Sequence, residues 1–255
     1  MITLLPNPVL AVRNGLLSRL CCLMAAACLA GVFPTSCAQR QMPPPLSRKA
    51  VDAPALTAAA ARRGLVPADA FDPAIRVARP LPYATPRNVF GRVLYAENFP
   101  ALLSEPTARK LAVASRAVRA QGYRLLVWDG YRPPEVQWEL FQQFRSPEFV
   151  ADPRKRWSKH CYGRAVDVTL ADASGRPVAL PSAFDDFSEK AAARYTGGDP
   201  AVKRHLRVLQ DAMTAAGFSI YTGEWWHFND LSDPAAFERA PVFGRELGLA
   251  PLSPP

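Results

Sequence analysis

Few residues in this chain can carry redox or metal chemistry. It has 5 cysteines in 255 residues. Four of them, Cys21, Cys22, Cys28 and Cys37, fall within the first 38 positions. Only Cys161 lies beyond, so without that first segment no internal disulfide can form. Histidine is scarcer still, with 3 in the chain: His160, His205 and His227. His160 and His227 stand in strings rich in Gly, Trp and Asp. His205 belongs to a charged, helix-like stretch, and its expected place is the surface. The apolar run from Leu20 to Phe33 is 14 residues, short for a membrane span. The net charge of +9 is mostly arginine spread along the chain. Without a clustered basic patch and interleaved aromatics, a nucleic-acid partner is not expected. No internal repeat is present.

What remains is a globular composition, 49% hydrophobic and 21% charged, with enough length for one domain, a sizeable core and tails. Residues 1–38 have the order of a secretory signal. Arg13 and Arg19 are the only charges, the apolar run follows, and Ser36-Cys37-Ala38 ends it in small residues. Cleavage after Ala38 gives an exported protein, periplasmic or envelope-associated, with no integral membrane domain. Lipidation of Cys37, as a lipoprotein anchor, is the alternative. Residues 39–70 read as a linker and N-terminal extension, opened by Pro43-Pro44-Pro45, with a short helix within Leu56 to Leu65. The domain is expected over 71–240. Residues 241–255 are expected as an apolar, Pro-ended tail, poorly ordered or laid along the surface.

Local patterns inside the domain predict an α+β fold, with helices packed on a mainly antiparallel sheet. Ile75–Arg79 alternates as a strand. A helix is expected over 105–120, capped by Ser104, with Leu111, Ala114 and Val118 as its buried stripe and Gly122 as its stop. Tyr123–Trp128 reads as a buried strand ending in the Asp129-Gly130 turn. Pro133 and Pro134 open a helix to Phe144. Gly163–Leu170 alternates, with Ala165 and Asp167 on one face. Asp172–Gly175 is a turn. Asp199-Pro200 starts a helix ending at Gly217. Phe218–Tyr221 and Trp225–Asn229 form a hairpin through Thr222-Gly223.

The chemistry concentrates in three strings. His160, Asp167 and His227 supply two imidazoles and a carboxylate, a ligand set for one Zn2+ per chain that leaves a fourth position for water. Asp167, in mid-strand, needs a partner in any case, a metal or a salt bridge. Glu224, three residues before His227, is close enough to take a proton from such a water. The two have opposite strand parity, so Glu224 must sit on a turn or bulge to reach the same metal. Arg132, held between a turn and two prolines, is preorganised to stabilise charge developing on a carbonyl oxygen; a salt bridge to Asp129 is the alternative. Ser158 either bonds substrate or a ligand, or ties down its turn. Cys161 points away from its neighbour His160 in an extended chain and reads as a small buried filler. Trp225 and Trp226 read as walls and core.

Asp129-Gly130-Tyr131-Arg132-Pro133, then Ser158-x-His160-x-x-Gly163-x-Ala165-x-Asp167, then Glu224-Trp225-Trp226-His227 together resemble the D-alanyl-D-alanine dipeptidases, the VanX-like zinc peptidases. That group includes D,D-carboxypeptidases and shares its fold with the hedgehog signalling domain. The resemblance covers roughly residues 72 to 240. It implies zinc-dependent hydrolysis of D-Ala-D-Ala and related free dipeptides, so the expected partner is a small peptide substrate. It implies the same role for Arg132. It also implies that an acid in Phe184-Asp185-Asp186-Phe187, by position Asp185, holds the substrate's free ammonium. The chain departs from the family at Leu180-Pro181-Ser182, where Met-Gly-Thr is usual. Two other readings use the same metal site: a D,D-carboxypeptidase or endopeptidase acting on peptidoglycan stem peptides, and a non-catalytic zinc module that binds wall peptides.

Overall fold

The computed structural model describes residues 42–146 and 148–252. The signal segment and the lipidation site at Cys37 lie outside them. Among the described residues no helix is long and apolar enough to cross a membrane. Four helices and two sheets make the body. The helices are α1 (Ala53–Ala61), α2 (Glu105–Ala120), α3 (Pro134–Gln143) and α4 (Pro200–Ala215). The strands are β1 (Leu65–Pro67), β2 (Arg76–Val77), β3 (Leu102–Ser104), β4 (Arg124–Asp129), β5 (Ala165–Ala171), β6 (Ser219–Ile220) and β7 (His227–Asn229). The main sheet runs β2-β4-β5-β7-β6, and β1 pairs separately with β3. Only β2–β4 is parallel; the other pairings are antiparallel. The α+β fold of the sequence reading is therefore the observed one.

The helices form where their stripes and breakers place them. Leu111, Ala114 and Val118 of α2 are fully buried, and α2 packs against α4 and β4. Asp199 caps α4 by accepting from the N–H groups of Ala201 and Val202 at 2.8 and 3.3 Å. Ser104 does not cap α2 in this way, because its hydroxyl is taken by the Thr107 hydroxyl at 2.7 Å. Strand β5, at the centre of the main sheet, is buried along its whole length. Its even-numbered side, Val166, Val168 and Leu170, belongs to the apolar core. The other side, Ala165 and Asp167, is left for chemistry.

Three expectations are corrected. Residues 42–70 are not a solvated linker: Leu46, Leu56 and Leu65 are buried, and Arg48 pairs with the buried Glu139 at 2.5 Å. Their apolar anchors are spaced widely enough that average composition hides them. The segment after 240 is likewise part of the body. Leu247 and Leu249 are buried, and Leu46 bridges Pro251. The Tyr131 hydroxyl donates to the Val242 carbonyl at 2.7 Å, and the Gly244 N–H donates to Glu135 Oε2 at 3.0 Å. His205 is buried rather than exposed. Its Nδ1 donates to the Ala179 carbonyl at 2.9 Å, and its ring meets Tyr123 edge-on. A histidine on the polar side of a helical stripe gave no sign that a loop would cover it.

One polar knot ties α2 to the end of the sheet. Asp230, fully buried, accepts from Thr107 Oγ1 at 2.8 Å, Lys110 Nζ at 2.7 Å and the Ser232 hydroxyl at 2.7 Å. Burial opposes its charge, but Lys110 and Ser232 outweigh it and hold the carboxyl down to about 2. A depressed carboxyl stabilises the fold above its ordinary range near pH 4 and loses that contribution as pH falls toward 2. The contribution is about 2 kcal/mol. Denaturant titrations at pH 6 and pH 3 are expected to show a larger acid loss in the parent protein than in Asp230→Asn. Equal losses would remove the knot from the account. Leu247→Ala is expected to cost about 2–4 kcal/mol at neutral pH, as for a core leucine. A cost below 1 kcal/mol would return the last residues to the status of a tail.

Candidate metal centre and active site

The site is built on one row across the sheet. Strands β5 and β7 place Asp167 directly opposite His227. On the other side, β4 pairs Asp129 with Asp167 only because the register shifts between Val127 and Asp129. In unbroken register Asp129 would pair with Val166 and face the core; the extra residue turns its carboxylate to the side of Asp167. His160 joins the row from outside the sheet. The sequence reading took His160 and Cys161 as neighbours in an extended chain, but Lys159–Tyr162 form a 3-10 turn, with the Ser158 hydroxyl accepting from the His160 N–H at 3.3 Å.

Two glycines let that turn come close. Gly163 has φ +63, and a Cβ there would lie 2.7 Å from the Ser104 nitrogen. The contact is productive, since the Ser104 N–H donates to the Gly163 carbonyl at 2.8 Å. A Cβ on Gly130 would lie 2.4 Å from the Leu102 carbonyl, which itself accepts from the Tyr131 N–H at 2.6 Å. Strand β3 thus holds both the His160 turn and the Arg132 turn. The Arg132 N–H also donates to the His160 carbonyl at 3.1 Å.

The three predicted ligands converge. His227 Nδ1 is 3.0 Å from Asp167 Oδ1, His160 Nε2 is 3.4 Å from the same oxygen, and the two ring nitrogens are 3.1 Å apart. These residues form the His/Asp cluster capable of holding a metal ion among the described residues. Their outer nitrogens are committed elsewhere. His160 Nδ1 meets the Gly130 carbonyl at 2.7 Å, which can only accept, and His227 Nε2 meets Asn229 Oδ1 at 3.0 Å. Both rings therefore turn bare lone pairs toward each other and toward a carboxylate. Such an arrangement is repulsive without a cation between the atoms. Bonds of about 2.0–2.1 Å in a tetrahedral set put ligand atoms about 3.3 Å apart, close to the triangle observed. The donor set fits zinc.

The other predicted residues surround this triangle in one cleft, lined by Arg132, Ser158, Asp185, Glu224 and Trp226 among others. Glu224 lies between two turns, off the strand, and its Oε2 is 3.7 Å from His227 Nδ1. The parity argument holds, because β7 begins only at His227 and Trp225 and Trp226 sit in the turn before it. Burial pushes the Glu224 carboxyl up to about 7, against the pull of His227. Arg132 is itself buried. Its Nε and Nη2 both bond Asp129 Oδ2, at 3.1 and 2.9 Å, and its Nη1 bonds Gln137 Oε1 at 3.0 Å. Arg132 thus makes the salt bridge to Asp129 that the sequence offered as the alternative, and it also lines the cleft. Ser158 caps its turn and lines the cleft as well. Asp185, not Asp186, lines the cleft; it has φ +57 and is buried. Its Oδ2 has no hydrogen-bond partner among the described residues. Burial, then the nearby Asp167, push its carboxyl well above the ordinary range.

Several supporting residues were not singled out from sequence. Tyr95 donates to Asp129 Oδ1 at 2.8 Å. Gln137 joins Arg132 to the Ala151 carbonyl, donating from Nε2 at 3.0 Å. The Tyr83 ring lies 5.2 Å from the Arg132 guanidinium. Asn229 had a usable signal, since it stands two residues after His227 and shares its face. The others come from distant segments and had none. Cys161 is fully buried, where burial pushes its thiol up, and it stays a filler.

A family model described as D-Ala-D-Ala dipeptidase matches residues 62–242. The D-alanyl-D-alanine dipeptidase of Escherichia coli (strain K12) is 32% identical over 157 residues, covering 62% of this chain and 80% of that protein. The enzyme of the same name from Enterococcus faecalis is 28% identical over 149 residues, covering 51% and 74%. Among solved structures, a vancomycin-resistance D,D-pentapeptidase in complex with Zn(II) aligns with a TM-score of 0.37 at 18% identity, over 59% of this chain and 86% of that one. The chain belongs to the D-Ala-D-Ala dipeptidase family of metallopeptidases.

Proposed function

We propose that this protein hydrolyses D-Ala-D-Ala and related free dipeptides, with one zinc held by His160, Asp167 and His227. The observation that carries the dipeptide reading is the unpartnered Asp185 oxygen, buried in the wall of the same cleft as the ligand triangle. The Tyr83 hydroxyl bonds to this carboxylate, but a buried oxygen left without a donor is costly, and the ammonium of a free N-terminus is the donor that would complete it. A longer chain, whose nitrogen at that point is an amide, brings no such charge. The order of charges and apolar residues in 1–38 supports an exported enzyme.

Zinc, when bound, supplies Lewis-acid polarisation and a lowered pKa for water. The chain's own residues do the rest. Glu224 takes the proton from the attacking water and passes it to the leaving amine nitrogen. Arg132, fixed by Asp129 and Gln137, offers a guanidinium of constant direction to the carbonyl oxygen as charge grows on it. Asp185 sets the substrate's register by its ammonium. Ser158 keeps His160 on its turn at the cleft wall.

Glu224→Gln is expected to retain one zinc per chain and to lower kcat for release of free D-Ala from D-Ala-D-Ala by about 10²–10⁴-fold. Release that survives the substitution would remove Glu224 as the base. No release by the unsubstituted, zinc-loaded protein would move the substrate to stem peptides or leave a binding role. Asp185→Asn is expected to raise KM for free D-Ala-D-Ala by on the order of 10- to 100-fold, with a smaller change in kcat. It should leave any residual cleavage of the N-acetylated peptide unchanged. Equal losses on both peptides would contradict the ammonium assignment.

A further inference from the structure

The catalytic cleft continues past Ser158. Arg156, Trp157 and Lys159 line it, and the same three residues line a second groove beside it. The groove offers about 610 Å³, against about 90 Å³ in the cleft. Lys155 and Arg239 line the groove but not the cleft, and bring its cations to four; Glu238 is its one acid. Two of the four come from the short basic run Arg154-Lys155-Arg156, which leads directly into Trp157.

These cations are not spent on internal pairs. Arg154, their neighbour, is bound to Asp152 at 2.8 Å. Lys155, Arg156, Lys159 and Arg239 make no ion pair among the described residues. The far wall is held in place, since the Tyr162 hydroxyl lies 3.3 Å from the carbonyls of both Phe237 and Arg239. Lys159 Nζ stands 5.8 Å from the centroid of the Phe237 ring, which lines the same groove. Asp185 lines the cleft only. Arg156, Trp157 and Lys159 join that cleft to the groove.

We propose that this groove is a subsite for an acidic leaving portion of the substrate: a free-N-terminal peptide whose residue after the cleaved bond carries a side-chain carboxylate. The proposal rests on the dipeptidase reading for the peptide's direction. It adds that an acidic second residue is preferred over its neutral isostere.

The test is calorimetric titration of the zinc-loaded Glu224→Gln protein with D-Ala-D-Glu and with D-Ala-D-Gln. The acidic peptide is expected to bind about five- to tenfold more tightly, with a preference that shrinks as salt is raised. In a Lys155→Ala, Arg239→Ala double variant the preference should fall to about twofold or less, with the larger loss of affinity on D-Ala-D-Glu. Equal affinities, no binding of either peptide, or a preference that survives in the double variant would overturn the groove assignment. Turnover in the unsubstituted protein separates the two claims. Acid-selective binding with hydrolysis of neither peptide would sink the dipeptidase reading and leave the groove standing.

Discussion

Everything near the cleft answers to an imbalance of buried charge. Asp129, Asp167, Asp185 and Glu224 are all at most 7% exposed, and Arg132 is the one guanidinium buried among them. As ligands of a metal ion the two histidines would be neutral and bring no charge of their own. Burying carboxylates so unequally costs several kcal/mol for each left unpaired. A fold keeps such a cluster when something from outside completes it. A divalent cation between the histidines and an ammonium at Asp185 would together neutralise what Arg132 leaves.

The rest of the molecule keeps that cluster from relaxing. The shift in β4 brings Asp129 to the reactive face, and Tyr95 and Arg132 hold it there. The short strand β3 then serves as a common strut, bonding the backbone beside His160 on one side and the backbone beside Arg132 on the other. Behind the Arg132 turn, Tyr131 and Glu135 are gripped by the segment around Val242 and Gly244. The ligand from outside the sheet, the guanidinium and the last described residues are therefore parts of one mechanical unit.

Much of this could be read from the sequence, for identifiable reasons. The helices over 105–120 and from Asp199 onward carried both a stripe and a breaker, and both formed within a residue or two of expectation. The candidate metal ligands stood out because histidine is scarce and because Asp167 is out of place in an otherwise apolar strand. Glu224 was placed on a turn by parity alone. What could not be read depends on contacts between distant segments. The β4 shift has no local mark. Residues 42–70 and 241–252 look dispensable by composition, yet they bury leucines against each other. His205 looked exposed until a loop some 26 residues earlier was seen to cover it. Gln137 and Tyr83 act on Arg132 from places no spacing rule connects to it.

Asp185 adopts a left-handed backbone conformation that most side chains resist and that Asp, Asn and Gly accept. The loop therefore admits few residues here, and those few differ sharply in charge. A single-nucleotide change from Asp to Asn would spare the backbone while erasing the carboxylate. Under the proposed dipeptidase reading, selection could then switch off a demand for a free N-terminus without disturbing the loop that carries it. Substrate range at this position can drift in one step, while the metal row across the sheet, built from registered strands and close-approach glycines, cannot.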